Sequence, residues 1–97
     1  MNKVFLVART AGEIQIKETG TGKKYTRFNV AINAREKADF VPCIAWEKTA
    51  EFLANYVKKG QRIAIDGRLT TWKGEKGVVM EVIAERVEFA DGKEADV

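Results

Sequence analysis

A chain of 97 residues with 45% hydrophobic and 32% charged side chains has room for one modest core, and its balance is that of a folded domain rather than a disordered or fibrous polymer. It contains no histidine and a single cysteine, which removes the commonest general base, the usual Cys/His zinc sites and any intrachain disulfide. The formal charge of +3 is unevenly spread: residues 1–40 hold eight Lys/Arg against four Asp/Glu, residues 41–97 nine against ten, so any basic face would draw on the first half.

Along the chain, Lys3 to Arg9 reads as a strand with an apolar run, too short in its apolar part for a signal peptide. Gly12 breaks it. A polar stretch follows to Lys24, with loop chemistry at Thr19-Gly20-Thr21-Gly22. From Tyr25 to Asn33 the pattern alternates cleanly, placing Phe28, Val30 and Ile32 on one face and Tyr25, Arg27, Asn29 and Ala31 on the other. After a polar connection, Ala34 to Asp39, comes a strand from Phe40 to Trp46 that is apolar in both parities. Pro42 within it cannot donate to a sheet ladder and asks for an edge, a bulge or an unpaired position.

The spacing of Phe52, Leu53, Tyr56 and Val57 predicts a helix over 49–59, with Thr49 as N-cap, Glu51 in the first turn, Lys58 and Lys59 in the last, and Gly60 as the C′ residue. Arg62 to Trp72 returns to strand. Gly67 in its middle predicts a bulge or corner, of the kind a small barrel needs. Lys73 to Gly77 reads as a hairpin turn, and Val78 to Glu88 as the last strand, with an irregularity near Glu85–Arg86 where the parity of the apolar residues changes. Three strands, one helix and two strands form the order of an all-β OB-fold, a five-stranded Greek-key barrel with its helix between strands three and four. An SH3-like barrel or an α+β sandwich fits the pattern alone as well. The expected domain covers residues 1–91, with a polar end over 92–97.

Chemistry is scarce. Cys43 lies in an apolar strand, as a buried inert thiol would. Gly20-Thr21-Gly22-Lys23 lacks the spacing of a phosphate-binding loop. Asp39, Asp66 and Asp91 form no acidic pair for a two-metal nuclease. No enzyme activity, cofactor or metal is expected. No apolar run approaches the ~18 residues of a membrane span, so no membrane partner is expected and the cytoplasm is the default location.

What the chain does offer is aromatic side chains interleaved with cations. Phe40 and Trp46, six apart, share one strand face; Tyr25 shares its outward face with Arg27, and Trp72 shares parity with Arg68. Lys73, with Lys23, Lys24 and Lys76, lies on expected loops beside these strands. Sequence-tolerant binders of single-stranded nucleic acid stack bases on such rings and neutralise phosphates with such cations. Pattern alone leaves plain packing or subunit contact open for the same rings.

The block Asp39-Phe40-Val41-Pro42-Cys43-Ile44-Ala45-Trp46-Glu47-Lys48-Thr49-Ala50-Glu51 resembles the bacterial single-stranded DNA-binding protein family. So do Met1 to Val7, Asn55 to Gly60, Asp66-Gly67-Arg68-Leu69, Glu81-Val82 and Val87-Glu88-Phe89, in order over nearly the whole chain. The resemblance implies an OB-fold, non-specific binding of single-stranded DNA in replication, recombination and repair, a nucleoid-associated location, and homotetramers or sometimes homodimers. It places base-stacking aromatics at Phe40, Trp46 and Trp72, and basic contacts at Arg9, Arg27 and Arg68. Arg9 departs from the small or polar residue the family usually has there. The family's glycine-rich linker and acidic tip are not present after Glu94-Ala95-Asp96-Val97, as in a shortened chain or a natural short form, so tail-recruited protein partners are not expected. The short loops imply a smaller DNA footprint per subunit. Two readings compete with passive DNA binding: a primosomal or accessory OB protein working through protein contacts, and a small enzyme or nuclease subunit. Stacking aromatics do not distinguish DNA from RNA.

Overall fold

A computed structural model of the chain describes residues 1–33 and 37–90. The elements are β1 (Val4–Ala11), β2 (Lys17–Glu18), β3 (Lys24–Asn33), β4 (Ala38–Trp46), α1 (Glu47–Tyr56), β5 (Arg62–Gly74) and β6 (Gly77–Phe89). Pairing runs from β1 to β5, β6, β4 and β3 and back to β1, so five strands close a ring. Every pairing is antiparallel except β4 with β6, where Cys43 faces Val82 and Ile44 faces Ile83. This is the OB arrangement, with the helix in the connection from β4 to β5. The expected polar end at 92–97, the boundary at residue 91 and most of the connection after Asn33 lie outside the described residues.

Alternation sets which face looks inward. Thr26, Phe28 and Val30 of β3 are buried, as are Cys43 and Ala45 of β4, Ile63 and Ile65 of β5, and Val82 and Ala84 of β6. From α1, Ala50 and Leu53 enter the same core, followed by Val57 just after the helix. The expected helical stripe is therefore split. Leu53 and Val57 plug the barrel end, whereas Phe52 packs on Phe89 with ring centroids 5.6 Å apart and Tyr56 stays 65% exposed.

Three local expectations need correction. The polar stretch before Lys24 contains a short strand, β2, which takes the first part of the β3 edge while β1 takes the last part. The helix begins at Glu47 rather than Thr49: Trp46 holds the N-cap position without a side-chain cap, and the Thr49 hydroxyl instead donates to the Glu85 carbonyl at 3.4 Å. It also ends earlier, at Tyr56. Lys58 and Lys59 follow in a loop, so they do not complement the dipole of a last turn. The hairpin is tighter than 73–77, because Gly74 pairs with Gly77 and only Glu75 and Lys76 turn.

The predicted corner is present. Asp66 pairs with Arg86 and Gly67 with Ala84, so Glu85 is the extra residue of a bulge, where the apolar parity changes. A Cβ at Gly67 would run into the Ile83 carbonyl oxygen, so the bend requires glycine by close approach. Pro42 pairs with Asn29 of β3 and lies just before the two-residue contact of β4 with β6, where its missing N–H is harmless.

Candidate nucleic-acid interface

The outward face of β3 carries Tyr25, Arg27, Asn29 and Ala31, and that of β4 carries Phe40, Pro42, Ile44 and Trp46. Tyr25 is directly opposite Trp46, and Arg27 is opposite Ile44. The rings of Tyr25 and Trp46 meet at 5.3 Å with a 37° tilt. The Arg27 guanidinium carbon lies 5.7 Å from the Tyr25 ring and 5.2 Å from the Trp72 ring. Trp46, Tyr25, Arg27 and Trp72 thus form one continuous row, aromatic and cationic, across three elements. Trp46 and Trp72 remain 37% and 42% exposed, leaving ring surface for a partner.

Glu81 of β6 holds this row in place. Its side chain is only 4% exposed, although it belongs to the outward parity of β6, opposite Thr70. The Trp72 indole Nε1–H donates to its Oε1 at 2.8 Å, and the Arg27 Nε–H faces its Oε2 at 3.4 Å. A buried carboxylate needs such partners, and here each partner is a group that sequence pattern had placed on the binding face. Sequence pattern gave Glu81 no site role, and it entered only within the family resemblance as Glu81-Val82. The available signal was its position in β6 at a parity otherwise filled by Val79 and Ile83. The same charge acts inward: burial, with Glu81 as a lesser cause, pushes the Cys43 thiol up to about 12.

The turn from β4 into α1 fixes the other end of the row. Glu47 adopts a left-handed backbone, with φ of 54°, directly after Trp46. That geometry is costly for a residue with a Cβ, and it is supported by a hydrogen bond from the Lys24 N–H to the Glu47 carboxylate at 2.8 Å. The bond ties the start of β3 to the end of β4, where Tyr25 and Trp46 stack.

The remaining expected site residues sit apart from this row. Phe40 is 65% exposed at the far end of the same face, about 20 Å along β4 from Trp46. It pairs with Ala31, which pairs on its other side with Arg9, so Phe40 and Arg9 flank one small residue. Arg68 is opposite Ile83, in register through Ile44 with Arg27, and its Nε–H donates to Glu85 at 3.0 Å. Lys73 lies in β5 rather than in a loop, and alternation points it to the opposite face from Trp72. Among the described residues no group of three or more Cys, Asp or Glu is placed to hold a metal, and no helix is long and apolar enough to cross a membrane.

Comparison with known proteins agrees with this architecture. The model of the single-strand binding protein family matches residues 1–90. A single-stranded DNA-binding protein of Oceanobacillus iheyensis is 36% identical over 96% of this chain and 65% of its own length. One from Bacillus cereus is 38% identical over 94% of this chain and 61% of its own. The chain thus spans somewhat under two thirds of these relatives. A solved structure of a deletion mutant of the single-stranded DNA binding protein from Thermus aquaticus superposes with a TM-score of 0.79 at 26% identity, covering 92% of this chain and 40% of that one. The chain belongs to the single-strand binding protein family.

Proposed function

We propose that this protein binds single-stranded DNA without sequence preference and protects it during replication, recombination and repair, with no chemistry of its own. The observation that carries this reading is the row of Trp46, Tyr25, Arg27 and Trp72 on the outward face of the barrel. Bases stack on the rings, a contact worth ~1–3 kcal/mol per base and open to any base. Arg27 contributes charge within the row, Phe40 extends the stacking surface along β4, and Arg9 and Arg68 neutralise phosphates to either side. Lys73 supplies charge from the opposite face of the hairpin. The sites of action are the cytoplasm and the nucleoid.

Self-association is part of this reading, as a homotetramer or a homodimer. Among the described residues β1 pairs with β3 only over Arg9–Ala11, and none of them pairs with Val4–Ala8 on that side, where Phe5 and Val7 are exposed. Leu69, Val78 and Met80 expose a second apolar patch on the β5–β6 hairpin. Patches of this kind support subunit contact.

The test is intrinsic tryptophan fluorescence during titration with poly-dT at two salt concentrations. Both tryptophans of the chain lie in the row, so the whole signal reports on it. Strong quenching to a defined endpoint is expected, with affinity falling as salt rises because bound counterions are released on association. Unchanged emission and no binding at low salt would overturn the reading and leave the accessory, protein-contacting role.

A further inference from the structure

A second concentration of cations lies beyond Phe40. Arg9, Tyr56, Lys58, Lys59 and Arg62 line one surface cavity at the end of the helix, and among the described residues no acidic side chain lines it. The basic side chains come from β1, the post-helix loop and the start of β5, so the fold itself gathers them.

The loop that displays the two lysines is firmly held. Buried Thr10 is its anchor: its hydroxyl donates to the Lys58 carbonyl at 2.7 Å, and the Gly60 N–H reaches both Thr10 oxygens at 2.9 Å. The Gln61 side chain accepts from the Lys58 N–H at 2.9 Å, and Arg9 donates to the Gly60 carbonyl at 3.2 Å. Gly60, with φ of +83°, makes the turn a residue with a Cβ would resist. A loop so fixed presents Lys58 and Lys59 with little backbone ordering left to lose on binding. Tyr56 is propped beside it against Phe52, centroids 5.7 Å apart, with most of its ring free.

This cavity is continuous with the aromatic face. Phe40, Ala31, Arg9 and Arg62 are successive partners across β4, β3, β1 and β5. All four belong to outward parities, and the row spans about 14 Å at the usual strand spacing. We propose that the cavity lined by Arg9, Lys58 and Lys59 is a second phosphate-holding subsite for single-stranded DNA, taking the strand as it leaves Phe40, with Tyr56 as the stacking face for a base. The proposal rests on the DNA-binding reading above and adds a direction to it. The strand runs from Trp72 and Trp46 along β4 to Phe40, then turns across Ala31 to the helix end.

The experiment compares dT oligomers of about 5 and about 16 nucleotides, near the limits of what one OB fold covers. Binding is read by tryptophan quenching over a range of salt concentrations for the parent, for Lys58→Glu/Lys59→Glu and for Tyr56→Leu. The short oligomer should bind all three proteins alike, which also verifies that the variants fold. On the long one, the lysine variant should lose at least tenfold in affinity, and its salt slope should fall by about 1.4, two phosphate contacts at ~0.7 each. Tyr56→Leu should lose at least fivefold with the slope unchanged. Equal losses on both lengths, or none on the long oligomer, would overturn the subsite while leaving the aromatic row intact. Failure of the parent to bind either oligomer would remove the DNA reading and the subsite together.

Discussion

The two faces of β3 and β4 obey different rules. Inward, Thr26, Phe28, Val30, Cys43 and Ala45 are packed by exclusion of water, and size and shape decide what is tolerated. Outward, Tyr25, Arg27 and Trp46 keep contact with solvent and are held by ring contacts, an ion pair and a strained turn at Glu47. Stability and binding therefore occupy the same strands at alternate residues. Substitutions on one face should leave the other property almost untouched, except where a single residue serves both.

The sharpest break is expected at Gly67. Alanine there drives a Cβ into the Ile83 carbonyl and opens the barrel corner. Gly67→Ala should cost roughly 3 kcal/mol or more in denaturant unfolding, and its affinity for dT should fall only in proportion to the unfolded fraction. A fully stable Gly67→Ala protein would mean that the corner is not closed in this way.

Glu81 is the residue that joins the two faces. Glu81→Leu removes the acceptor of the Trp72 indole and the partner of Arg27, so the row loses its order. Affinity for poly-dT should fall about tenfold, a loss of ~1.4 kcal/mol, even though a negative charge has gone. Were this carboxylate merely repelling the DNA, the same variant would bind more tightly.

Cys43 sharpens the comparison through pH. Its folded pKa is raised from an ordinary 9.0 to about 12, so the folded state keeps a proton that the unfolded chain releases. The stabilisation from the protonated thiol is complete below pH 9 and is lost as pH rises from 9 toward 12. Thermal melts of the parent should thus decline more steeply above pH 9 than those of Cys43→Ala. Parallel curves would place a titrating group elsewhere.

The smallest effect concerns Thr26, fully buried and with no hydrogen-bond partner for its hydroxyl among the described residues. Because an unmet buried hydroxyl costs ~1–3 kcal/mol, Thr26→Val should raise stability by about 1 kcal/mol. Quenching by dT should be unchanged, since the side chain points inward. A destabilised Thr26→Val would show that the hydroxyl has a partner after all.

Alternation in β3, the corner at Gly67 and the irregularity near Glu85 were legible in the sequence because each follows from local rules: a period of two, a glycine inside a strand, a change of parity. The candidate aromatics and Arg27 were legible for the same reason, since outward parity is a property of one strand. The helix start was not. Thr49 has the chemistry of a cap, yet the chain turns at Glu47 because a hydrogen bond from Lys24, 23 residues away in sequence, supports the left-handed backbone there. Lys73 was misread as a loop residue because the length of a hairpin depends on cross-strand register, which a single strand does not record.

The sequence alone determined the strand-rich pattern, the helix between Trp46 and Arg62, and the inward and outward parities of β3 and β4, because these depend on contacts between near neighbours. Only the tertiary structure decided which outward residues meet. Tyr25 with Trp46, Arg27 with Trp72, Glu81 beneath them, and Arg9 beside Lys58 and Lys59 are contacts between strands and loops far apart in the chain. Their geometry is set by barrel register and closure, and no local pattern carries that information.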